Sequence, residues 1–168
     1  MARFLFGLVL VLALPSAAFA HPLILEDFFR GRAIAFGAFQ SALDGSRRGI
    51  TVRFIGSWDA RTRVLTLREH IRFSDGETQT KTWRLTRSGP RTYTGTREDV
   101  LGTAHGFIDD QGAVRLRYRA LVGTRTVSFN DLLTLEPGGS VKNVASLTYF
   151  FVQVGQVELQ IRRLPGAT

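Results

Sequence analysis

From His21 onward the chain consists of short stretches in which apolar and polar residues alternate. In one of them, Val52 and Phe54 alternate with Thr51 and Arg53. Successive side chains of a β-strand point to opposite faces, so each such stretch has one apolar and one polar face as a strand. The pattern recurs along the whole chain, which predicts an antiparallel sheet curled around its own interior.

Turn residues interrupt these stretches roughly every ten residues, a spacing typical of a sandwich or barrel. Strands are predicted to begin near Arg32, Ile50, Arg63, Thr78, Thr92, Gly102, Ala113, Arg125, Val141 and Val157. Turns are predicted at Asp44-Gly45, Asp75-Gly76, Gly89-Pro90, Asp110-Gln111-Gly112 and Pro137-Gly138-Gly139. The one predicted helical turn is Glu26–Phe29. The predicted fold class is therefore all-β, a single antiparallel lipocalin-like β-barrel of about 8–10 strands.

The first twenty residues have the pattern of a secretory signal peptide. Arg3 precedes the apolar run Phe4–Leu14, and Ala18–Ala20 forms an A-x-A cleavage site. The apolar run is too short for a membrane-spanning helix, which needs ~20 residues. We therefore expect residues 1–20 to be a signal peptide cleaved after Ala20 and residues 21–168 to be a single β-barrel domain. The protein is then exported and periplasmic, with no transmembrane anchor after cleavage.

Cysteine is absent, which excludes disulfides, a thiol nucleophile and a lipid-modified cysteine. Lysine and arginine number 22 against 14 acidic residues, a net charge of +8 at pH 7. An exported protein rarely meets nucleic acid, so no nucleic-acid partner is predicted. Anionic lipid or lipopolysaccharide headgroups are one interpretation of this charge. The simpler one is that evenly spread arginines cover the solvent-exposed faces. The pattern leaves the oligomeric state open.

The sequence lacks the common catalytic motifs, with no G-x-S-x-G, P-loop, H-E-x-x-H or G-x-G-x-x-G. The three histidines, at 21, 70 and 105, are not at metal-ligand spacing, so no metal and no cofactor are predicted. The acidic pairs Glu98-Asp99 and Asp109-Asp110 lack the ladder of oxygens of a calcium loop, and we interpret them as turn residues.

Two carboxylates interrupt the apolar faces: Glu69 in the third predicted strand and Asp131 in the eighth. A buried carboxylate must be paired, hydrogen-bonded or protonated. Both residues could form the polar floor of a ligand cavity or an acid–base pair. Alternatively, they are structural and pair with an inward Arg87 or Arg97.

Aromatic residues supply the other candidates. Trp58 and Trp83 share apolar faces with aliphatic neighbours, so both are expected to be buried. Four phenylalanines could plug one end of the barrel, line a pocket or belong to the core: Phe28, Phe29, Phe36 and Phe39. The ligand-binding residues predicted are Glu69, Asp131, Trp58, Trp83, Asp99 and Tyr118.

An ordered set of short motifs between Leu25 and Arg163 resembles the bacterial family called domain of unknown function 3833, whose members are often described as lipoproteins. The motifs are Leu25-Glu26-Asp27-Phe28-Phe29-x-Gly31, Gly56-Ser57-Trp58, Ser74-Asp75-Gly76-Glu77-x-Gln79, Thr82-Trp83, Tyr93-Thr94-Gly95-Thr96, Asp99-Val100-x-Gly102-Thr103-Ala104-x-Gly106, Phe129-x-Asp131 and Asn143-x-Ala145. The resemblance implies a fold and an envelope location, and it implies no activity. Because relatives are often encoded near fatty-acid-modifying enzymes, it also favours a connection with lipids.

Three departures from the family pattern stand out. No lipobox cysteine follows the signal peptide, so the mature protein is expected to be soluble and without a lipid anchor. Leu132 stands where the family usually has tryptophan after Asp131. The family's late Lys-Phe-Gly segment is here Tyr149-Phe150-Phe151, so any role of that lysine is lost or altered.

Three functions fit these patterns. The favoured hypothesis is a carrier of a hydrophobic small molecule such as a fatty acid or another envelope lipid. The second is an enzyme of the same fold, with Glu69 or Asp131 as general base on a lipid-like substrate. The third is a structural envelope protein without ligand. An open apolar cavity would support the carrier, convergent carboxylates and arginine would support the enzyme, and a filled interior would support the structural role.

Overall fold

Ten strands and one short helix make up the computed structural model, which describes residues 21–166. The elements in chain order are α1 (Leu25–Phe29), β1 (Gly31–Ser41), β2 (Arg47–Asp59), β3 (Val64–Phe73), β4 (Thr78–Arg87), β5 (Thr92–Thr96), β6 (Ala104–Ile108), β7 (Val114–Val122), β8 (Arg125–Leu135), β9 (Val141–Tyr149) and β10 (Val152–Arg163). The proposed signal peptide, residues 1–20, lies outside the described residues.

Each strand pairs in antiparallel fashion with the next, and β10 pairs with β1 to close the sheet into a barrel. The register of β1 illustrates the closure, since Ala35 lies opposite Val52 of β2 and also opposite Ile161 of β10. The predicted fold, an all-β antiparallel lipocalin-like barrel of about 8–10 strands, is confirmed with ten. All five predicted turns fall in connections between strands.

The alternation of the sequence becomes the inside and outside of the barrel. On β2, Val52 and Phe54 are buried while Arg53 is exposed, as the period of two requires. Arg68 on β3 and Arg117 on β7 are exposed as well. The strand arginines named here therefore contact solvent, and the apolar face of each strand forms the core.

Strand direction alternates, so the connections fall into two sets at opposite ends of the barrel. The closed end holds α1 and the connections β2–β3, β4–β5, β6–β7 and β8–β9. The mouth holds the connections β1–β2, β3–β4, β5–β6, β7–β8 and β9–β10. No helix within the described residues is long and apolar enough to cross a bilayer.

Helix α1 covers the closed end. Phe28 and Phe29 are buried and meet edge to face, with ring centroids 4.9 Å apart, and Phe29 also contacts Phe54 of β2 at 5.4 Å. A glycine permits this contact, because a Cβ on Gly56 would lie 1.9 Å from the Phe29 carbonyl oxygen. The segment before the helix is tied down by the Leu23 amide, which donates to the Gly112 carbonyl at 2.8 Å.

Two of the sequence predictions need correction. Phe36 is 47% exposed on the outside of the barrel, so it is neither an end plug nor a core residue. The last strand begins at Val152, five residues before the predicted Val157, and it contains a register shift between Gln153 and Gly155. This bulge interrupts the alternation that would have identified the start of the strand.

Candidate functional site

A cavity of about 440 Å³ lies inside the barrel. Its walls include Leu25 and Phe29 at the closed end and Val122 at the mouth, where Val122 is half exposed. Most of the lining is aliphatic or aromatic, and it comes from every strand except the short β5 and β6. The interior is therefore hollow, closed by α1 at one end and reaching the surface at the other.

One side of the cavity is polar. We call the following seven residues the polar strip: Glu69 of β3, Lys81 of β4, Arg97 and Asp99 of the β5–β6 connection, Tyr118 of β7, Asp131 of β8 and Asn143 of β9. Strand register brings them together, since Glu69 lies directly opposite Lys81. Asp131 lies opposite the inward residues Leu116 and Ala145.

Arg97 is the centre of the strip. Its Nε donates to Asp99 Oδ1 at 2.6 Å and its Nη2 to Asp99 Oδ2 at 3.2 Å, while Nη1 lies 3.4 Å from Glu69 Oε2. The guanidinium also lies over the Trp83 ring at 4.6 Å and near the Tyr118 ring at 5.4 Å. Two bonds to one carboxylate and two aromatic faces hold this cation in a fixed position.

Part of the strip stays charged. Burial lowers the pKa of Arg97, but the neighbouring Tyr118, Glu69 and Asp99 outweigh this and raise it above its ordinary value. Burial raises the pKa of Asp99, and Arg97 and Lys81 more than offset that, so the net shift is downward. The Lys81 ammonium is also bonded to Asp99. Arg97, Asp99 and Lys81 form a triad of ion-paired side chains.

The other two carboxyl groups differ. Burial raises the pKa of Glu69 to about 7, with Arg97 and Lys81 opposing the shift only in part. Burial raises the pKa of Asp131 to about 6, although Tyr118, Arg97 and Asn143 lie close enough to oppose it. Near neutral pH the Glu69 carboxyl is therefore divided between its neutral and ionised forms, and a neutral carboxyl can donate a hydrogen bond.

The Oδ1 atom of Asn143 is buried and has no hydrogen-bond partner within residues 21–166. Buried polar atoms of folded proteins are nearly always paired. Since Asn143 lines the cavity, a hydroxyl or acid proton of a bound molecule could supply the missing donor.

A second cluster of buried polar groups, which we call the seal cluster, joins α1 to the barrel through Glu26, Arg87 and Tyr93. Arg87 Nη1 donates to Glu26 Oε1 at 2.5 Å, and the Tyr93 hydroxyl donates to Glu26 Oε2 at 2.8 Å. The Leu25 amide donates in turn to the Tyr93 oxygen at 3.4 Å. Every oxygen of this carboxylate is occupied, and none of the three residues lines the cavity.

Five of the six residues predicted to bind ligand line the cavity: Glu69, Asp131, Trp83, Asp99 and Tyr118. Trp58 is the penultimate residue of β2, near the closed end and outside the cavity lining. Trp83 is 5% exposed, whereas Trp58 is only partly buried. The structural alternative from sequence paired the two carboxylates with an inward Arg87 or Arg97. Arg97 does lie beside Glu69, whereas Arg87 belongs to the seal cluster.

Sequence reasoning missed Lys81 and Asn143. Lys81 alternates with the inward Trp83 and Leu85, and Asn143 alternates with the inward Ala145. The same alternation of inward and outward side chains that located Glu69 and Asp131 would also have located Lys81 and Asn143. Glu26 was missed for another reason, since its partners are 61 and 67 residues away and follow no local pattern.

Acidic residues of the turns have structural partners. Asp109 Oδ1 accepts from the amides of Gln111 and Ala113, and its Oδ2 accepts from Arg115 at 3.0 Å. Asp110 pairs with Arg91 at the surface. Within the part of the chain that the structure describes, no three His, Cys, Asp or Glu side chains are placed to hold a metal ion.

Fold and site together define a lipocalin-like barrel with a hollow, mainly apolar interior and a polar strip on one wall. The sequence matches the model of the family described as Protein of unknown function (DUF3833) over residues 16–163, and the chain belongs to this family. Among solved structures it is similar to the S-type phycobiliprotein lyase CPES from Guillardia theta, with a TM-score of 0.59 and 7% identity. That match covers 86% of this chain and 95% of the lyase chain. No curated protein sequence matches.

Proposed function

We propose that this protein is a periplasmic carrier that holds one hydrophobic small molecule inside its barrel, with a fatty acid or a similar envelope lipid as the ligand class. The observation that carries the proposal is the cavity of about 440 Å³, which is mainly apolar and reaches the surface at the mouth. This volume lies within the range of roughly 300–1,000 Å³ typical of small-molecule sites. The barrel is hollow, whereas a purely structural protein would have its interior filled by side chains.

The polar strip supports an amphiphilic ligand over a plain hydrocarbon. A ligand headgroup at the strip would meet the unpaired Asn143 Oδ1 and the carboxyl groups of Glu69 and Asp131. A carboxylic acid or a hydroxyl can donate to Asn143 and accept from a protonated Glu69. The alkyl chain would then contact the aliphatic wall on the other side of the cavity.

Export is part of the proposal and depends on the sequence of residues 1–20, with cleavage after Ala20. A carrier is useful between two membranes, because a free lipid is poorly soluble in the aqueous space there. The similarity to a phycobiliprotein lyase supports only the barrel, because at 7% identity it carries no ligand with it.

Ligand titration tests the carrier. The chain beginning at His21 contains the whole described barrel, so it can be produced without the leader and titrated with cis-parinaric acid, a fluorescent fatty acid. We expect saturable binding of one molecule per chain. The absence of saturable binding would overturn the proposal, as would binding unaffected by filling the cavity.

A matched pair of variants distinguishes the interior from the surface. Ala145→Phe adds a ring to a buried cavity wall and should abolish binding. Ser146→Phe adds the same ring to the next residue of β9, whose side chain points to the opposite face, and should leave binding intact. Melting curves of both variants show whether the barrel has survived the change.

One observation favours a second candidate, an enzyme acting on a lipid-like substrate. Glu69 faces the cavity with a pKa of about 7, the value suited to a general base at neutral pH. Arg97 lies beside it but is already bonded to Asp99, which leaves few donors for a developing negative charge. Mass spectrometry of the bound lipid after prolonged incubation tests this candidate. Turnover that is lost in Glu69→Gln would establish it, and an unchanged lipid would exclude it.

A further inference from the structure

The turn between β9 and β10 presents an unusual surface. Phe150 is 76% exposed, Phe151 is fully exposed and the following Val152 is 58% exposed. We call these three residues the mouth tip. Large apolar side chains that are this exposed and adjacent to one another mark an interaction site more often than scattered ones do.

The backbone of the mouth tip makes this choice of residues costly. Tyr149 pairs with Val152, so the turn has two central residues, Phe150 with φ 44° and Phe151 with φ 68°. Such a turn favours Asn-Gly, because both central residues need the left-handed conformation. Bulky residues are genuine outliers there. A strained position occupied by two exposed phenylalanines points to a use for the rings themselves.

The mouth tip also projects from the barrel. Backbone contact of β10 with the β1 side ends at Val154, whose carbonyl accepts from the Ala42 amide at 3.0 Å, whereas pairing of β10 with β9 continues to Val152. The turn therefore reaches past this contact by about two residues, roughly 7 Å. Val122, which lines the cavity, and Leu121 are both exposed at the same end. Apolar side chains are therefore exposed both at the mouth tip and at the cavity opening.

Charge favours an anionic surface as the partner. The mouth-side parts of the two hairpins, residues 118–130 and 145–157, contain no acidic residue, and the adjacent β1–β2 connection contains one, Asp44. Arg125 lies in the first of these hairpins, with its guanidinium over the Tyr149 ring at 5.6 Å. On the opposite side of the mouth, by contrast, Asp75 and Glu77 pair with Arg48.

We infer that the mouth tip inserts into the interface of a phospholipid bilayer, with Phe150 and Phe151 below the headgroups and Arg125 at their level. The size of the tip fits this partner better than a second protein. Two phenylalanines offer roughly 300–500 Å² of contact surface, whereas a standard protein interface buries about 800 Å² on each partner. Insertion would also bring the cavity opening to the membrane surface.

Vesicle sedimentation tests the inference. The chain beginning at His21 is mixed with vesicles of phosphatidylethanolamine and phosphatidylglycerol and centrifuged. The variant F150N/F151G replaces both rings by the residues that this turn prefers, so it should fold at least as stably as the parent. We expect it to lose at least tenfold in partitioning, about the effect of leaving one phenylalanine unburied.

Phe107→Ser is the matched control, because Phe107 is an exposed phenylalanine of β6 on the barrel wall, away from the mouth tip. It should partition as the parent does. Parent protein that stays in the supernatant, or equal sedimentation of parent and F150N/F151G, would overturn the inference. A parent dimer that F150N/F151G converts to monomer, without vesicle binding, would assign the tip to a second copy of the chain instead.

The inference goes beyond the proposed carrier function, and the two can fail separately. Sedimentation is measured without any cargo in the cavity. Conversely, cis-parinaric acid in solution should bind F150N/F151G as tightly as it binds the parent, because neither phenylalanine lines the cavity. Only the rate of ligand uptake from vesicles should depend on both the cavity and the mouth tip.

Discussion

The seal cluster and the polar strip are both buried and both built around carboxylates, yet they differ in how fully their atoms are bonded. In the seal cluster each oxygen of Glu26 has its own donor, at 2.5 and 2.8 Å. In the polar strip Glu69 has one contact of 3.4 Å to Arg97, and Asn143 Oδ1 has none among the described residues. A buried charge is therefore weak evidence of function, whereas bonding capacity left open toward a cavity is much stronger.

Breaking the seal cluster should have the largest effect. Glu26→Ala leaves Arg87 and the Tyr93 hydroxyl without their acceptor and should cost about 3 kcal/mol in the free energy of unfolding. We place it at the low end of the range for buried pairs because the Arg87 side chain is 25% exposed. Urea denaturation measures the change. Asp27→Ala, an exposed neighbour in α1, is the control and should cost less than about 0.5 kcal/mol. Equal costs would show that the cluster does not hold the helix.

Removing a carboxylate charge from the polar strip should stabilise the folded protein, whereas breaking the seal cluster should destabilise it. The folded state binds a proton at Glu69 up to about pH 7, whereas the unfolded chain releases it near the ordinary pKa of 4.5. Stability therefore falls as the pH rises between these two values. Glu69→Gln removes that fall and should stabilise the protein at pH 8 by about 1–3 kcal/mol, with little change at pH 4.

Asp131→Asn should also stabilise the protein at pH 8. The pH window in which the parent loses this stability is lower, between the ordinary pKa of 3.8 and about 6. Glu77→Gln is the control, because Glu77 is exposed and its pKa is lowered by Arg48. It should bring no stabilisation at pH 8. Thermal melts of the three variants at pH 4 and pH 8 would contradict the comparison if Glu69→Gln destabilised the barrel as Glu26→Ala does.

Ligand affinity should depend on pH through the polar strip and not through the seal cluster. Ionised Glu69 repels a carboxylate headgroup, so affinity for cis-parinaric acid should fall about tenfold from pH 6 to pH 8, a coupling of ordinary size. Glu69→Gln should bind with nearly the same affinity at both values. A fatty alcohol, which carries no charge, should be much less sensitive, and equal sensitivity of acid and alcohol would argue against a headgroup at Glu69.

The smallest effect is spectroscopic. Trp83 lines the cavity beside Arg97, whereas Trp58 lies near the closed end outside it. With Trp58→Phe, the remaining Trp83 should change its emission when ligand binds. With Trp83→Phe, the emission of Trp58 should stay constant. A response from Trp58 alone would place the ligand at α1 and not at the polar strip.

Alternation located most of the barrel from sequence because the side-chain period of a strand is a local property. It placed the starts of β4, β5, β8 and β9 at their observed residues and turned Glu69 and Asp131 inward. It failed at the start of β10, where a bulge breaks the period and a Phe-Phe turn lacks the usual turn residues.

The candidate site could be predicted only in part. Membership of the inward face is readable strand by strand, but the meeting of Arg97 with Glu69 depends on a connection whose path the alternation does not define. The open cavity could not be predicted from the sequence either, since the same inward residues could have filled the interior. Whether a barrel is hollow depends on how its side chains pack across the centre, which no single strand contains.

Closure of β1 onto β10 also has a consequence for how the chain reaches its native state. The two strands are the first and the last in sequence, so the final seam cannot form until residues 152–163 have left the ribosome. Until then every partial barrel has two unpaired edges, the sites at which strands of different chains join. Pairings of such long range also fold slowly, on the order of milliseconds to seconds. The C-terminal strand is therefore the part of the chain whose truncation turns a closed barrel into an aggregating sheet.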